Sequence, residues 1–567
     1  MGHFIVIINW DKSPINASKL DAIYQSFQQK QMLHPQPYIA FIFAGTAHVT
    51  MSNNSITIFN GYLDDFASHG KNLAEIALQT YKQSGNTFAQ NLVGHFACVI
   101  WDDDQQKLIA VRDVLGVKRL YYHHTPKTTI VSNDFYQIQQ IADTSLTLNE
   151  KIIKAHLQGD GRFWLTESIY TEINPIPPRY TTTFTDDTQE QIAYTDWHVP
   201  PHSHQDKDTY IQEFKDTYWD MLRRYTSHTS HLGMMVSGGL DSSGLAAMLY
   251  AIHDTVDTDI QLFSTVTDRF KTADEQEYLT VLAEACHKWA LHTHNLDDMD
   301  YSLPVTVQGE LASPFSVMML KARIAFAKEH SVDTLIYGTG GDMVMLQNVA
   351  SKTSLWMALP PMQQLQEAQY FMRNAGGLVP FSKQIARHFI KRKYTVPSVD
   401  YVRNPIILPT DKNLASYNAL QQTILKPLLG QYTHALAMLD MLAEENNITL
   451  RLPYLDEKLI RFMMSVPVSQ HIYKGWGRVL QRRAMRGILP EKIRRRWTKA
   501  VADEMLTRYL SRENLLGLAD NSRLVAYGWV DKHKLTEAIN AFHNGKTYLL
   551  LDLMRFDEIE RWLQQHD

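Results

Sequence analysis

The stretch Gly233-Met-Met-Val-Ser-Gly-Gly-Leu-Asp-Ser-Ser-Gly244 gathers the residue types that phosphate chemistry needs. Met234 to Val236 read as the end of a buried strand. Ser237-Gly238-Gly239 read as a tight turn, and Asp241-Ser242-Ser243 open an apolar, helix-compatible run to Tyr250. Gly238 and Gly239 let the backbone approach an anion closely. The N–H groups at the start of a helix, with the positive end of its dipole, then favour a phosphate. Ser237, Ser242 and Ser243 add hydroxyl donors, and Asp241 can hold Mg²⁺ beside the phosphates. No Lys follows the glycines, so this is not a GxxxxGK[ST] loop. It suits a grip on pyrophosphate, with reaction at the α-phosphate of ATP. Val236, Ser237, Gly238, Gly239, Leu240, Asp241 and Ser242 are the expected nucleotide contacts. The plain alternative is a Ser/Gly turn between a strand and a helix.

Three further stretches bear on the same chemistry. Ile336-Tyr-Gly-Thr-Gly-Gly-Asp342 is a second strand running into a glycine turn that ends in a carboxylate. In an open α/β sheet, ligands lie beyond the carboxyl ends of the strands. Gly338, Gly340 and Gly341 are expected beside the nucleotide there, with Asp241 and Asp342 facing each other and sharing Mg²⁺. Taken alone, Gly338 to Gly341 equally suit a simple turn. Leu262-Phe-Ser-Thr-Val266 ends another strand near that edge, which places Ser264 by the adenine and ribose. Glu275 and Glu277 read as an acidic first turn favoured by the helix dipole. Leu489-Pro-Glu-Lys-Ile-Arg-Arg-Arg-Trp-Thr-Lys499 is strongly basic, and Lys474, Arg478, Arg482, Arg483 and Arg486 precede it. Such runs are usually solvated or RNA-contacting faces. This chain is slightly acidic overall, so an isolated basic cluster has another use. It can stabilise charge on a leaving pyrophosphate, or on an acyl-adenylate attacked by an amine. Lys499 is the first candidate for that catalytic role and Arg496 the second.

Positioning these residues takes more than one domain, because 567 residues exceed a single core. Residues 1 to about 200 read as mostly β. Apolar runs at Tyr38–Phe43, Ser55–Phe59, His95–Trp101, Lys107–Val111 and Thr128–Val131 are separated by turn signals, with helical spacing at Asn72–Ser84. A packed β-sandwich with some helix is expected. The N-terminal stretch Met1–Asp11 is apolar but short, lacks a basic leader and meets Asp11 at once, so it reads as a first strand, not a signal peptide. The polar, Pro-containing stretch Asp196 to Asp208 reads as a linker. Beyond it, helix Thr209–Tyr225, strand His231–Val236, helix Ser243–Ile252, strand Ile260–Val266, helix Glu275–Ala290, helix Ser316–His330 and strand Thr334–Tyr337 alternate. That alternation argues for a parallel, doubly wound sheet. After Gly341 the pattern is mainly helical. Net charge of −5 gives no overall pull towards nucleic acid, and no apolar run is long enough to span a bilayer. The two cysteines, Cys98 and Cys286, lie in apolar surroundings and read as buried thiols in a reducing, cytoplasmic setting. No CxxC or HExxH spacing points to a metal centre.

Taken in order, the motifs resemble the asparagine synthetase B-type superfamily. Ser237-Gly-Gly-Leu-Asp-Ser242 resembles the ATP-pyrophosphatase loop. Together with Phe263-Ser264, Gly338-x-Gly-Gly-Asp342, Arg451-Leu-Pro-Tyr-Leu-Asp456 and Arg496-x-x-Lys499, it resembles the synthetase domain of that superfamily. Asn60-Gly61, Gly94-His-Phe-Ala-Cys-Val-Ile-Trp-Asp102 and Val111-Arg-Asp-Val-Leu-Gly-Val-Lys-Arg-Leu-Tyr-Tyr122 resemble its glutaminase domain. The resemblance implies an N-terminal glutaminase-like, Ntn-hydrolase-type β-sandwich over residues 1–200. It implies a C-terminal ATP-pyrophosphatase doubly wound parallel sheet with a helical extension over 201–567. It also implies an AMP-forming amide ligase using ATP and Mg²⁺: an acyl-AMP forms, pyrophosphate leaves, and an amine attacks.

The departures narrow this expectation. The family's glutaminase uses a Cys directly after the initiator Met, where this chain has Gly2 and His3. Glycine cannot replace a thiolate, so the N-terminal domain is expected to be inactive and the amine to come from elsewhere. In the second glycine turn, asparagine synthetases carry Glu at the place of Thr339 and β-lactam synthetases Tyr, and the usual Glu after the Asp is Met343 here. Thr339 is a poor general base, so the base stays unassigned. A glutaminase domain without its nucleophile, with a Gly-x-Gly-Gly-Asp turn, resembles the lasso peptide cyclases, macrolactam synthetases of antibiotic-type peptides. That branch implies a precursor peptide as substrate, its Asp or Glu side chain activated and its own N-terminal amine closing the ring. The helical region from Leu346 to about Leu439 would hold it. It also implies a leader peptidase and a leader-binding protein as partners. The alternatives are a small-molecule amide ligase, a tRNA-modifying enzyme served by Lys492 to Lys499, and a non-catalytic binding protein. Asp241, Asp342 and Lys499 occurring together speak against the last.

Overall fold

The computed structural model describes residues 2–566 except 28–29, 53, 65–69, 143–144, 162–164, 203–205, 228, 257, 300–310, 312, 347–353, 375–399, 407–411, 498–499 and 501–502. The N-terminal part contains strands β1 (Phe4–Asn9), β2 (Lys30–Gln36), β3 (Ile39–Ala44), β4 (His48–Ser52), β5 (Ser55–Leu63), β6 (Gly94–Asp102), β7 (Lys107–Arg112), β8 (Tyr121–His124), β9 (Thr128–Ser132), β10 (Asn174–Pro175), β11 (Tyr180–Phe184) and β12 (Gln189–Ala193). They form two antiparallel sheets, ordered β10-β8-β9-β1-β3-β2 and β12-β11-β7-β6-β5-β4.

Side-chain alternation sets the layers. Phe4, Val6 and Ile8 of β1 and Phe41 and Phe43 of β3 share one core with Ile58 of β5 and Ala97, Val99 and Trp101 of β6, so the sheets stack face to face. Their outer faces are apolar as well. Phe96, Cys98 and Ile100 are covered by α2 (Leu73–Ser84) through Ala74, Ala77 and Leu78. Ile5, Ile7 and Ile42 share a core with α1 (Ala17–Ser26), α3 (Phe135–Ile141), α4 (Glu150–Leu157) and the C-terminal helix Leu550–His566. A strand buried on both faces has an unbroken apolar run, which is why Phe4–Ile8 and Ile39–Ala44 do not alternate in sequence. The result is the expected sandwich in helix–sheet–sheet–helix order.

The C-terminal part opens with α5 (Lys207–Thr226), followed by β13 (His231–Met235), α6 (Leu240–Tyr250), β14 (Asp259–Val266), α7 (Gln276–Ala285), β15 (Leu291–Asn295), α8 (Pro314–Glu329), β16 (Thr334–Tyr337), α9 (Gly341–Val344), α10 (Gln431–Glu445) and β17 (Thr449–Arg451). All five strands pair in parallel, in the order β15-β14-β13-β16-β17. The chain runs outward from β13 to β15, then returns past β13 to start β16. With right-handed crossovers, α6 and α7 cover one face and α8 and α10 the other, and α6 touches α7 while α8 touches α10. The strand order therefore reverses between β13 and β16. At such a switch point the carboxyl ends of neighbouring strands part and leave a crevice.

Three local expectations needed revision. β15 was not expected, since Leu291-His-Thr-His-Asn295 is a half-exposed edge with little apolar signal. α7 stops at Ala285, where the Cys286 N–H still bonds Leu282 O, short of the expected Ala290. The stretch expected as a linker begins inside the fold: Trp197 is fully buried, and its N–H donates to the Tyr417 hydroxyl at 3.3 Å.

Candidate active site

β13 lies at the centre of the parallel sheet, and the chain leaves it through Ser237–Gly239 into α6. Gly238 has φ +60°, and a Cβ there would come within 2.7 Å of the Cβ of Tyr278, so glycine is required. Gly239 precedes α6, and no side chain caps the helix, which leaves its first N–H groups for a ligand or solvent. The Ser242 hydroxyl closes the loop: it accepts from the Ser237 N–H at 3.0 Å and lies 3.0 Å from Ser237 Oγ.

The second glycine turn follows β16, the strand next to β13. Gly340 has φ +87°, and Gly341 stands so close to Asp241 that a Cβ would come within 2.7 Å of its carboxyl carbon. Gly341 is thus what lets Asp241 lie against the second turn. Asp241 and Asp342 converge on one atom. Arg478 Nη2 is 2.7 Å from Asp241 Oδ2 and 2.6 Å from Asp342 Oδ1. Arg478 is buried and adopts φ +57°, a conformation rare for a long side chain. Two facing carboxylates form an all-oxygen donor set that suits Mg²⁺, and the guanidinium nitrogen between them marks where positive charge is needed.

Asp241 is held from behind as well. Its backbone carbonyl accepts from the Tyr454 hydroxyl at 3.0 Å, and its Oδ1 accepts from Gln481 Nε2 at 3.2 Å. Gln481 and Tyr218 both donate to the Tyr454 oxygen, at 3.0 and 2.7 Å. The facing wall carries Arg323, whose guanidinium donates to the Tyr337 hydroxyl at 2.9 Å and to Thr265 Oγ1 at 3.2 Å. Tyr432, from α10, hydrogen-bonds Thr339; burial pushes its phenol above the usual range, so at neutral pH it is a hydroxyl, not a base. The cleft these groups enclose is about 290 Å³, with Arg323, Arg478, Arg482 and Arg496 facing Asp241, Asp342 and Glu275. One more arginine than carboxylates favours an anionic occupant.

Of the residues singled out in the sequence, Val236, Ser237, Gly239, Leu240, Asp241, Ser242, Gly338, Gly340, Gly341, Asp342 and Arg496 line this cleft. Gly238 shapes it from beneath. Ser264 is buried on β14, and its neighbour Thr265 reaches the cleft. Arg496 donates to Gly238 O at 3.1 Å, pairs with Glu275 and stacks 3.9 Å over Tyr278, so it braces the loop. Glu275, read as a first-turn acid, is therefore an ion-pair partner. Lys492 pairs with Glu277. Lys499 lies outside the described residues, as do 347–353, 375–399 and 407–411 of the helical region expected from Leu346 to about Leu439. Gln481, Arg323 and Tyr432 were not expected at the site; Tyr454 was quoted only within the motif Arg451–Asp456, without a role, and Arg478 only in a basic run. An Arg and a Gln three residues apart at a helix start, Arg478 and Gln481, were the available signal.

The N-terminal sandwich has a different interior. The Gly2 carbonyl accepts from Asn133 Nδ2 at 2.8 Å, and a Cβ on Gly2 would come within 2.5 Å of Asn60 Oδ1. Asn60 in turn donates to Glu444 of α10 at 3.2 Å. Lys118 Nζ reaches across to Asp440 and Glu444 at 2.8 and 2.7 Å, with all three side chains largely buried. Cys98 and Cys286 are buried and unbonded; burial pushes both thiols up, Cys286 to about 12, which keeps them protonated and inert. Among the described residues no cluster of three or more His, Cys, Asp or Glu could hold a metal, and no helix is long and apolar enough to cross a membrane.

Comparison with known proteins bears on both parts. The asparagine synthase family matches residues 214–564, and the glutamine amidotransferase domain matches residues 62–195. Asparagine synthetase [glutamine-hydrolyzing] 3 of Bacillus subtilis is 22% identical over 449 residues, 74% of this chain and 69% of that protein. Amidase chry2 of Gibberella zeae is 27% identical over 33% of this chain, and amidase chyE of Penicillium rubens 26% identical over 38%. The similarity spans only 28% and 34% of the length of those two fungal proteins.

Proposed function

The chain belongs to the asparagine synthase family of ATP-dependent amide ligases, and from that footing we propose that it activates a carboxylate as its adenylate and closes an amide with an amine other than glutamine-derived ammonia. The observation that carries this is the contrast at two positions: Asp241 and Asp342 converge at the switch point, while Gly2 is packed against Asn60 with no room for a nucleophile's side chain. The Ser237–Ser242 loop and the open N-terminus of α6 hold the β- and γ-phosphates of ATP. Asp241 and Asp342 would hold Mg²⁺, which when bound would supply charge neutralisation for those phosphates. Arg478, which bridges the two carboxylates, then turns towards the departing pyrophosphate, with Arg496 on the same cleft; Lys499 is the remaining proposed cation, on the strength of its sequence motif alone.

Within this reading the acid is the side chain of an Asp or Glu in a precursor peptide, and the amine is that peptide's own N-terminus, which makes the enzyme a lasso peptide cyclase. An intramolecular amine removes the need for a glutaminase, in keeping with Gly2. Thr339 and Tyr432 offer hydroxyls rather than bases, so on this reading a neutral amine attacks the acyl-adenylate and the proton it gives up passes to the departing AMP or to solvent. A leader peptidase and a leader-binding protein are the partners of this proposal, and the cytoplasm its setting. A small-molecule amide ligase is the second reading, favoured by the cleft's 290 Å³, at the small end for ligand sites. Pyrophosphate release from ATP and Mg²⁺ separates the two. Peptide-dependent release, with loss of one water from the peptide mass, supports the cyclase. Release with aspartate or another small acid and ammonia supports the second reading, and no release with any acid sinks both.

A further inference from the structure

The turn Arg451–Asp456 lies directly behind the nucleotide loop and is tied to the N-terminal sandwich at both ends. At its start, Arg451 Nη1 donates to Asp64 Oδ1 at 3.1 Å, and the guanidinium lies 3.7 Å over the ring of Tyr62. At its end, Asp456 Oδ2 accepts from Arg224 Nη2 at 2.8 Å, while Arg224 Nη1 lies 3.9 Å from Asp64 Oδ2. Tyr62 lies next to the last residue of β5 and Asp64 directly follows the strand, so one carboxylate of the sandwich faces both arginines. The side chains of Asp64, Arg224, Arg451 and Asp456 are 5%, 5%, 14% and 1% exposed. Buried charges of this kind tolerate little displacement, because each ion must keep its partner. In the middle of the turn stands Tyr454, whose hydroxyl donates to Asp241 O and accepts from Gln481 and Tyr218. Three bonds on one hydroxyl fix its position closely.

We propose that Asp64 is a positioning residue for the nucleotide loop: through Arg451 and Arg224 it fixes the Arg451–Asp456 turn, and with it the Tyr454 hydroxyl that holds Asp241. The sandwich thereby serves the amide-forming cleft as a strut, a role that needs no nucleophile at residue 2. This inference rests on the reading of Ser237–Ser242 as a nucleotide grip.

The test is equilibrium binding of MgATP to the full chain by calorimetry, in wild type, Asp64→Asn, Tyr454→Phe and the double variant, with thermal melting of each. Asp64→Asn is expected to weaken MgATP about tenfold, within the range of coupled neighbours. Tyr454→Phe is expected to do the same, and the double variant to bind no worse than either single one. Asp64→Glu, which keeps the charge, is expected to recover most of the affinity. A merely structural contribution would lower the melting temperature and give additive losses in the cycle. Wild-type affinity in a folded Asp64→Asn variant, or additive losses, overturns the strut. Should Asp64→Asn fail to fold, Arg451→Gln, which cuts the same link from the other side, and Tyr454→Phe carry the same cycle, with the same outcomes for and against. Absence of MgATP binding by wild type is a different result, since it overturns the nucleotide reading itself.

Discussion

At Gly2 and at Asp241 the chain builds two potential reaction centres, one on an antiparallel sandwich and one on a parallel sheet. Around Gly2 the scaffold is intact: Asn133 still holds the Gly2 carbonyl, and Asn60 still faces it. What is absent is a side chain able to react, and the space for one is taken. Around Asp241 every neighbour serves to place a charge: Gly341 makes room for it, Arg478 pairs with it, and Tyr454 and Gln481 hold it from behind. The difference shows that a fold and its chemistry can part company. On the proposed reading the sandwich serves as packing and as the anchor of Arg451 and α10, and the reaction belongs to the switch point.

The contrast is broken most severely by removing its active half. Asp241→Ala is expected to lower pyrophosphate release about a thousandfold or more, because the proposed metal ligand is lost and Arg478 loses one of its two carboxylates; steady-state release assays read this directly. Lys118→Met attacks the tie between the halves. It leaves Asp440 and Glu444 buried without their cation, and a loss of about 3–5 kcal/mol is expected, seen as a lower midpoint in urea unfolding. Acid should weaken the fold from both sides. Burial pushes His95 of the sandwich and His471 of the C-terminal part down to about 4. Their unfolded forms take up protons near pH 6.5, so stability present above that pH is lost as pH falls from about 6.5 to 4. His471→Gln is expected to flatten that slope by on the order of 2 kcal/mol, measured as unfolding midpoints at pH 7 and pH 4.5. The smallest effect is the most pointed: Gly2→Cys is expected to give no glutamine hydrolysis. Its Cβ meets Asn60 at 2.5 Å, at a cost of about 1–3 kcal/mol. Ammonia release from glutamine by that variant would show that the two centres differ by one side chain only.

Much of this geometry was legible in the residues. Ser237–Ser242 and Gly338–Asp342 announced themselves because a glycine turn between a strand and a helix is a local event, written in contiguous sequence. The convergence of Asp241 and Asp342 followed from the β–α alternation. The partners that complete the site were harder to see, because Tyr454, Arg478 and Gln481 arrive from segments more than 200 residues beyond Asp241 and meet it only after α10 and β17 are in place. Arg478 was misread for the same reason: in sequence it belongs to a basic run, and only burial reveals that it has one fixed partner on each side. Arg496, expected to act on the phosphates, lines the cleft and also braces the loop through Glu275, a contact its place in a basic run did not reveal. Edge strands were the weak point of the fold. β2 carries Pro35 and is half exposed, and β15 has two histidines, so neither shows the apolar run that made β1 and β3 plain.

The central claim is that a carboxylate is activated at the Asp241–Asp342 cleft by attack on the α-phosphate of ATP. With whichever acid supports pyrophosphate release, its carboxylate can be labelled with ¹⁸O and the nucleotide product analysed by mass spectrometry. Adenylation transfers one carboxylate oxygen to the nucleotide, so labelled AMP is the expected result, with no label transfer in Asp241→Ala. ADP with labelled phosphate, or AMP free of label, would contradict the account.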